Sequence, residues 1–168
     1  PPLELNVGKK NLINFLKKSY DHIHVTANFK SMRKLNKLGF IEKGSPYYGW
    51  LISIFSTVIR VANQYNVNLI FYGENGEVEY GGSSENKDVP LFDTNYMINN
   101  LITSGYEKII KKSKLKKNDL YWFDFPFEDL KKKKIGLTHW GYFEPWDSYR
   151  NYLAAKSKFE LEEHKENS

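Results

Sequence analysis

The sequence predicts an α/β domain in which helices flank a parallel sheet. Short β-branched or wholly apolar runs alternate along the chain with helical stripes of about ten residues or more, the order that yields βαβ units and parallel strands. Residues 67–72 are almost continuously apolar and end on Gly73, the pattern of a strand covered on both faces. A length of 168 residues fits a single domain able to bury its own core.

Taken in order, Leu12, Ile13, Phe15 and Leu16 set a helical stripe over residues 9–19. Residues 22–27 are short, β-branched and alternating, which predicts a strand. Asn28 stands where an N-cap belongs for a helix with the face Phe29, Met32, Leu35 and Leu38, and Gly39 is its predicted stop. Pro46 opens a longer apolar helix to residue 65, and the strand at 67–72 follows. Asp93 is the predicted cap of a helix through Tyr96, Ile98, Leu101 and Ile102. Residues 135–143 read as a further strand. Pro145 opens a last helix with Asp147 in its first turn and Tyr149, Tyr152 and Leu153 beyond. Lysine-rich stretches at 111–117 and 131–134 bracket residues 119–127, so 108–134 is a candidate insertion within one domain spanning 1–168.

Composition narrows the function classes. There are 25 Lys and Arg against 20 Asp and Glu, a net charge of +5, with 40% hydrophobic and 16% aromatic residues. Disorder needs a chain poorer in apolar groups. No apolar run approaches the roughly 18 residues of a membrane span, no signal-peptide pattern is visible, and a cytoplasmic setting is the default expectation. Cysteine is absent, which removes disulfides, thiolate zinc sites, Fe–S clusters and thioester chemistry from this chain. The 22 Lys to 3 Arg argue against nucleic acid, because Arg makes the bidentate and stacking contacts.

In open α/β sheets ligands bind beyond the carboxyl ends of the strands. The run Leu69, Ile70, Phe71, Tyr72 delivers its end into Gly73, Glu74, Asn75, Gly76, Glu77, Val78, Glu79, Tyr80, Gly81 and Gly82. Four glycines let backbone approach a ligand closely, and three glutamates offer hard oxygens to a divalent cation. Between residues 44 and 86 Arg60 is the single basic residue, a setting that suits a cation better than a bare anion. A solvated acidic turn has the same spacing. The end of the 135–143 strand carries Trp140, Tyr142, Phe143, Glu144, Trp146 and Asp147, which could stack and hydrogen-bond a sugar or nucleobase or serve as ordinary helix capping. His22 and His24 share a strand face, but a metal site would need further ligands. No G-x-x-x-x-G-K-[ST], G-x-G-x-x-G or G-x-S-x-G pattern occurs.

Four blocks in sequence order carry a family resemblance: Tyr47-Tyr48-Gly49-Trp50-Leu51-Ile52, Leu69 to Asn75, Glu77-Val78-Glu79-Tyr80-Gly81-Gly82, and Gly141-Tyr142-Phe143-Glu144-Pro145-Trp146-Asp147. Over nearly its whole length the chain resembles the N-acetyl sugar amidotransferases, most closely those of pseudaminic-acid biosynthesis, with relatives in lipopolysaccharide O-antigen synthesis. The resemblance implies a PP-loop ATP pyrophosphatase with an adenine nucleotide α-hydrolase-like, Rossmann-like fold. It also implies ATP and Mg²⁺ as cofactors, adenylylation of an acetamido oxygen, and displacement of AMP by ammonia from a partner glutaminase, leaving an acetamidino group. Carried over by position, Glu74 and Glu77 become catalytic and metal-binding residues. Gly73, Asn75, Glu79, Tyr80, Gly81 and Gly82 fall on the nucleotide side, and Tyr48, Trp50, Glu144, Trp146 and Asp147 on the sugar or nucleotide.

The Ser-Gly-Gly-x-Asp-Ser signature of the family is missing. Residues 81–86 follow a different strand and lack the leading Ser and the Asp. The family places that loop upstream and continues beyond Ser168, so the expectation is an internal fragment that does not turn over ATP alone. Two other classes fit the same residues: a PP-loop enzyme acting on tRNA, with lysines on phosphates, and a non-catalytic interaction module whose lysines dock an acidic glutaminase.

Overall fold

The computed structural model describes residues 5–18, 20–73, 92–93, 105–126 and 135–164. Its elements are α1 (Asn6–Leu16), α2 (Phe29–Lys43), α3 (Tyr48–Gln64), β1 (Leu69–Tyr72), β2 (Phe92–Asp93), α4 (Tyr106–Ser113), a 3₁₀ segment (Lys117–Phe123), β3 (Gly136–His139), α5 (Trp140–Phe143) and α6 (Ser148–Phe159). They fall into two compact units, Val25–Glu144 and the pairing of Pro1–His24 with Pro145–Ser168.

The larger unit is built on an αα-hairpin. Asn28 caps α2 as expected, its side chain accepting a hydrogen bond from the Ser31 N–H at 3.1 Å. Gly39 does not end the helix. Gly44 does so one turn later, at φ 68° in the left-handed region that its lack of a Cβ permits. Gly39 instead lies against Tyr48, and Gly49 against Leu35 and Met32, so α2 and α3 cross with backbones close together. The Trp50 N–H donates to Asn36 Oδ1 at 3.1 Å across the same crossing.

The far side of α3 holds the 3₁₀ segment. Ser56 Oγ donates to the Trp122 carbonyl at 2.6 Å. Arg60 donates through Nε and a terminal nitrogen to the Asp124 carbonyl at 3.0 and 2.7 Å, its guanidinium 4.4 Å from the Tyr121 ring centroid. The Tyr106 hydroxyl donates to Asp124 Oδ1 at 2.8 Å. Within the candidate insertion, Ile109, Leu120, Phe123 and Phe125 are buried and join the core formed by Leu35, Ile52, Phe55, Ile59, Ile70 and Leu137. Described residues of that lysine-rich stretch are therefore part of the core.

The three described strands lie in the order β1-β3-β2. β1 and β3 are parallel, with Leu69 opposite Gly136 and Tyr72 opposite His139. β2 runs antiparallel to β3, Phe92 opposite Leu137, so the sheet is mixed where a wholly parallel one was expected. Ile70 is 7% exposed on the α3 side, but Leu69 and Phe71 are 44% and 51% exposed. Among the described residues, α3 covers one face of β1, and the other meets only the single turn of α5. Residues 22–27 form no strand. Residues 140–143 turn into α5 instead of prolonging β3. Asp93 lies in β2, and the helix expected after it falls outside the described residues.

Burial leaves a pH signature in the larger unit. The Tyr48 ring is 2% exposed, and burial pushes its phenol up to about 12. Tyr106 is pushed upward as well, by burial and by the Asp124 carboxylate beside it. Unfolded tyrosine ionises near pH ~10. Above that pH the unfolded chain loses protons that the folded chain retains, so stability is complete below pH ~10 and falls as pH rises through 12. Melting temperature followed from pH 8 upward is expected to be level and then to decline beyond pH ~10; a flat profile to pH ~12 would refute the burial of these phenols.

In the smaller unit α1 starts three residues earlier than its stripe suggests and buries Gly8 and Asn14, while Ile13, Phe15 and Leu16 stay 39–51% exposed. Its asparagines clasp the chain beyond α6. Asn11 donates to the Glu162 carbonyl at 2.9 Å and accepts from the Glu162 N–H at 2.8 Å, and Asn14 donates to the Glu160 carbonyl at 2.9 Å. Lys18 pairs with Glu160 at 2.7 Å, and Lys10 pairs with Glu162. The Phe15 and Phe159 rings meet at 5.5 Å. The last helix begins at Ser148 with Asp147 as its N-cap; Pro145 precedes that cap instead of occupying the first turn.

Candidate functional site

Because β1 and β3 are parallel and in register from Leu69–Gly136 to Tyr72–His139, both chains leave the sheet at the same edge. Ligands bind at such an edge in α/β proteins. Gly73 sits there, exposed, and among the described residues nothing lies within 4 Å of where a Cβ would be, so on that side its backbone is open to close approach. From β3 the chain passes directly into the single turn of α5, whose Trp140 and Phe143 stand one turn apart.

That turn gathers aromatics at the edge. Phe71 meets Trp140 at 6.4 Å and Phe143 at 5.8 Å between ring centroids. Tyr72 lies 5.5 Å from the His139 ring with 32° between the planes, and Phe55 lies beneath it at 5.7 Å. Trp140 is 46% and Phe143 57% exposed. Glu144 ends α5 half-buried, its N–H donating to the Trp140 carbonyl at 3.3 Å. Phe71, Trp140 and Phe143 form an exposed aromatic ledge on one face of β1, suited to stacking against a planar ring or the apolar face of a sugar. Tyr72 and His139 pack over Phe55 on the opposite face. Arg60, the one cation between residues 44 and 73, is engaged by the Asp124 carbonyl and the Tyr121 ring.

The expected site residues scatter. Glu74, Asn75, Glu77, Glu79, Tyr80, Gly81 and Gly82 lie outside the described residues. Tyr48 is at the α2–α3 crossing, its ring buried with the Lys43 ammonium 5.3 Å from its centroid; a ligand reaches it only if that crossing opens. Trp50 is 48% exposed on α3. Trp146 and Asp147 belong to the smaller unit. Asp147 Oδ1 accepts from the Arg150 N–H at 2.9 Å, and Arg150 donates to the Pro145 carbonyl at 2.9 Å. The carboxylate thus performs the capping that its sequence position also allowed.

Phe71, Trp140 and Phe143 were not legible as a group. Residues 135–143 read as one strand, and strand geometry would have sent Trp140 and Phe143 to opposite faces. The break into α5 brings both toward Phe71. The His22 and His24 rings lie 6.2 Å apart, and among the described residues no cluster of three or more His, Asp or Glu side chains is placed to hold a metal ion. Among those residues, too, no helix is long and apolar enough to cross a membrane. No family model matches the chain, and no curated protein matches it.

Proposed function

We propose that this chain serves ATP-dependent amidation of an acetamido sugar, converting the acetamido group to an acetamidino group. The sugar would be a precursor of pseudaminic acid, a related nonulosonate or an O-antigen unit. The fold behind this reading is the adenine nucleotide α-hydrolase-like one. The observation that supports it best is the shared carboxyl edge of β1 and β3, where Gly73 leads into the Gly- and Glu-rich segment and α5 ends on Glu144.

The chemistry asks for such an edge. An amide oxygen leaves poorly until it is phosphorylated. Its attack on the α-phosphorus releases pyrophosphate, and ammonia then adds to the activated carbon and expels AMP. Exposed Gly73 backbone suits phosphate approach. The lack of a free side-chain cation at the described part of the edge suits delivery of the nucleotide with Mg²⁺, which Glu74 and Glu77 would hold. Mg²⁺ would neutralise charge on the departing pyrophosphate, and the aromatic ledge would orient the sugar. Ammonia would come from a separate glutaminase, since the chain has no cysteine.

The test uses the protein that carries this chain, supplied with Mg-ATP, ammonium and acetamido sugars. Sugar-dependent AMP and pyrophosphate are the expected products, and Glu74→Gln is expected to lower the rate by about 10²–10³-fold, the scale of losing one electrostatic contact to the transition state. ADP and phosphate as products, or no nucleotide consumption with any sugar, would break the reading. A Glu74→Gln protein with unchanged turnover would remove Glu74 from the site.

A further inference from the structure

We infer that the solvent face of α2 is a docking surface for an acidic protein partner. Helical spacing of 100° per residue puts Lys30, Arg33, Lys34, Lys37 and Ile41 on one face, flanked by Phe29 and Phe40. All seven are exposed, Phe29 to 74% and Phe40 and Ile41 to 61% each. The opposite face, with Ser31, Leu35 and Gly39, is buried against the rest of the unit. Among the described residues none of the four cations forms an ion pair. Glu42, the one carboxylate of α2, lies off this face and is already held by Lys112 and Lys108, which keep its carboxyl below the usual range. A rigid helix about 22 Å long thus presents four uncompensated charges of one sign and, one turn further on, two large apolar side chains.

Charge complementarity requires an anionic occupant, and the apolar end selects among anionic partners. A nucleic-acid backbone would satisfy the cations and leave Phe40 and Ile41 in water. An anionic bilayer takes up the apolar sector of an amphipathic helix, but here that sector is inside the core. A protein surface with carboxylates beside an apolar recess satisfies both halves, in the usual arrangement of an apolar centre with charges around it. The assignment is independent of any catalytic activity.

The test measures binding of labelled probes to the 1–168 chain. The probes are a helical peptide of Glu and Leu, an oligoglutamate of equal charge, poly-dT, and phosphatidylserine–phosphatidylcholine vesicles. The Glu–Leu peptide is expected to bind about tenfold more tightly than oligoglutamate and to weaken as salt rises. Combining Lys30→Glu, Lys34→Glu and Lys37→Glu should weaken it by about 100-fold. Ile41→Asp should reduce the Glu–Leu peptide to the oligoglutamate level. These positions are exposed, so the variants should melt with the parent, and circular dichroism checks that. Tighter binding of poly-dT or vesicles than of the Glu–Leu peptide, equal affinity for the two peptides, or affinity unmoved by the substitutions would overturn the assignment.

Discussion

Phe123→Ala is expected to cost about 3–5 kcal/mol, the range for emptying a buried aromatic site. Phe123 is fully buried at the end of the 3₁₀ segment, with Leu120 and Phe125 in the same core. The segment is stitched down around it: Ser56 holds the Trp122 carbonyl, Arg60 the Asp124 carbonyl, and the Tyr106 hydroxyl, 2.9 Å from the Phe123 carbonyl, shares its one proton between that oxygen and Asp124 Oδ1. A backbone held at three consecutive residues cannot collapse into the vacated space, so the cavity remains and the cost approaches the upper end of the range. Against a total stability of about 5–15 kcal/mol, that loss moves the melting temperature by on the order of 10 °C. Urea unfolding would read it as a lower midpoint with an unchanged slope. A loss under about 1 kcal/mol would show that the lysine-rich region is not seated in the core.

Gly39→Ala is expected to destabilise by about 1–3 kcal/mol, although alanine is the better helix former by about 1 kcal/mol at an unconstrained position. A Cβ at Gly39 would stand 2.1 Å from Tyr48 Cβ and 3.0 Å from the Ser45 carbonyl oxygen. These are atoms next to or within backbone, with no flexible side-chain end to swing aside. A Cβ at Gly49 would likewise stand 2.8 Å from Leu35 Cβ and 2.9 Å from the Met32 carbonyl oxygen, so the two helices are in close approach at both glycines and α2 has little room to shift. The substitution must push the helices apart and loosen the burial of Tyr48, Leu35 and Ile52. Denaturant unfolding of the variant measures this; a gain in stability, as propensity alone would give, would refute the close crossing.

Gly39 also marks where reading the sequence stopped being sufficient. A glycine after a helical stripe is a good stop signal, and both Gly39 and Gly44 qualify. The choice between them depends on Tyr48, which α3 places against Gly39. The same holds for β1. Its apolar run marked the strand to within two residues, but which face helices cover depends on where α3 lies and on what else packs there. Asp147 read both as a ligand-site carboxylate and, in the favoured reading, as helix capping, and its side chain does cap α6 by accepting from the Arg150 N–H. Asn11 and Asn14, polar residues on an otherwise apolar stripe, gave no local sign that they hold a chain segment about 150 residues away.

The sequence by itself determined the features governed by contacts within a few residues. Among these are the Asn28 cap, the extent of α3 after Pro46, the strand ending at Gly73, and the absence of any cysteine chemistry. Capping bonds, backbone preferences and hydrophobic periodicity act over one or two turns and are written in adjacent side chains. Tertiary structure alone decided the close α2–α3 crossing, the half-covered β1, the turn at Trp140 that gathers the aromatic ledge, and the burial of the lysine-flanked segment. Each of these depends on steric and hydrophobic contact between residues far apart in the chain, which local pattern does not encode.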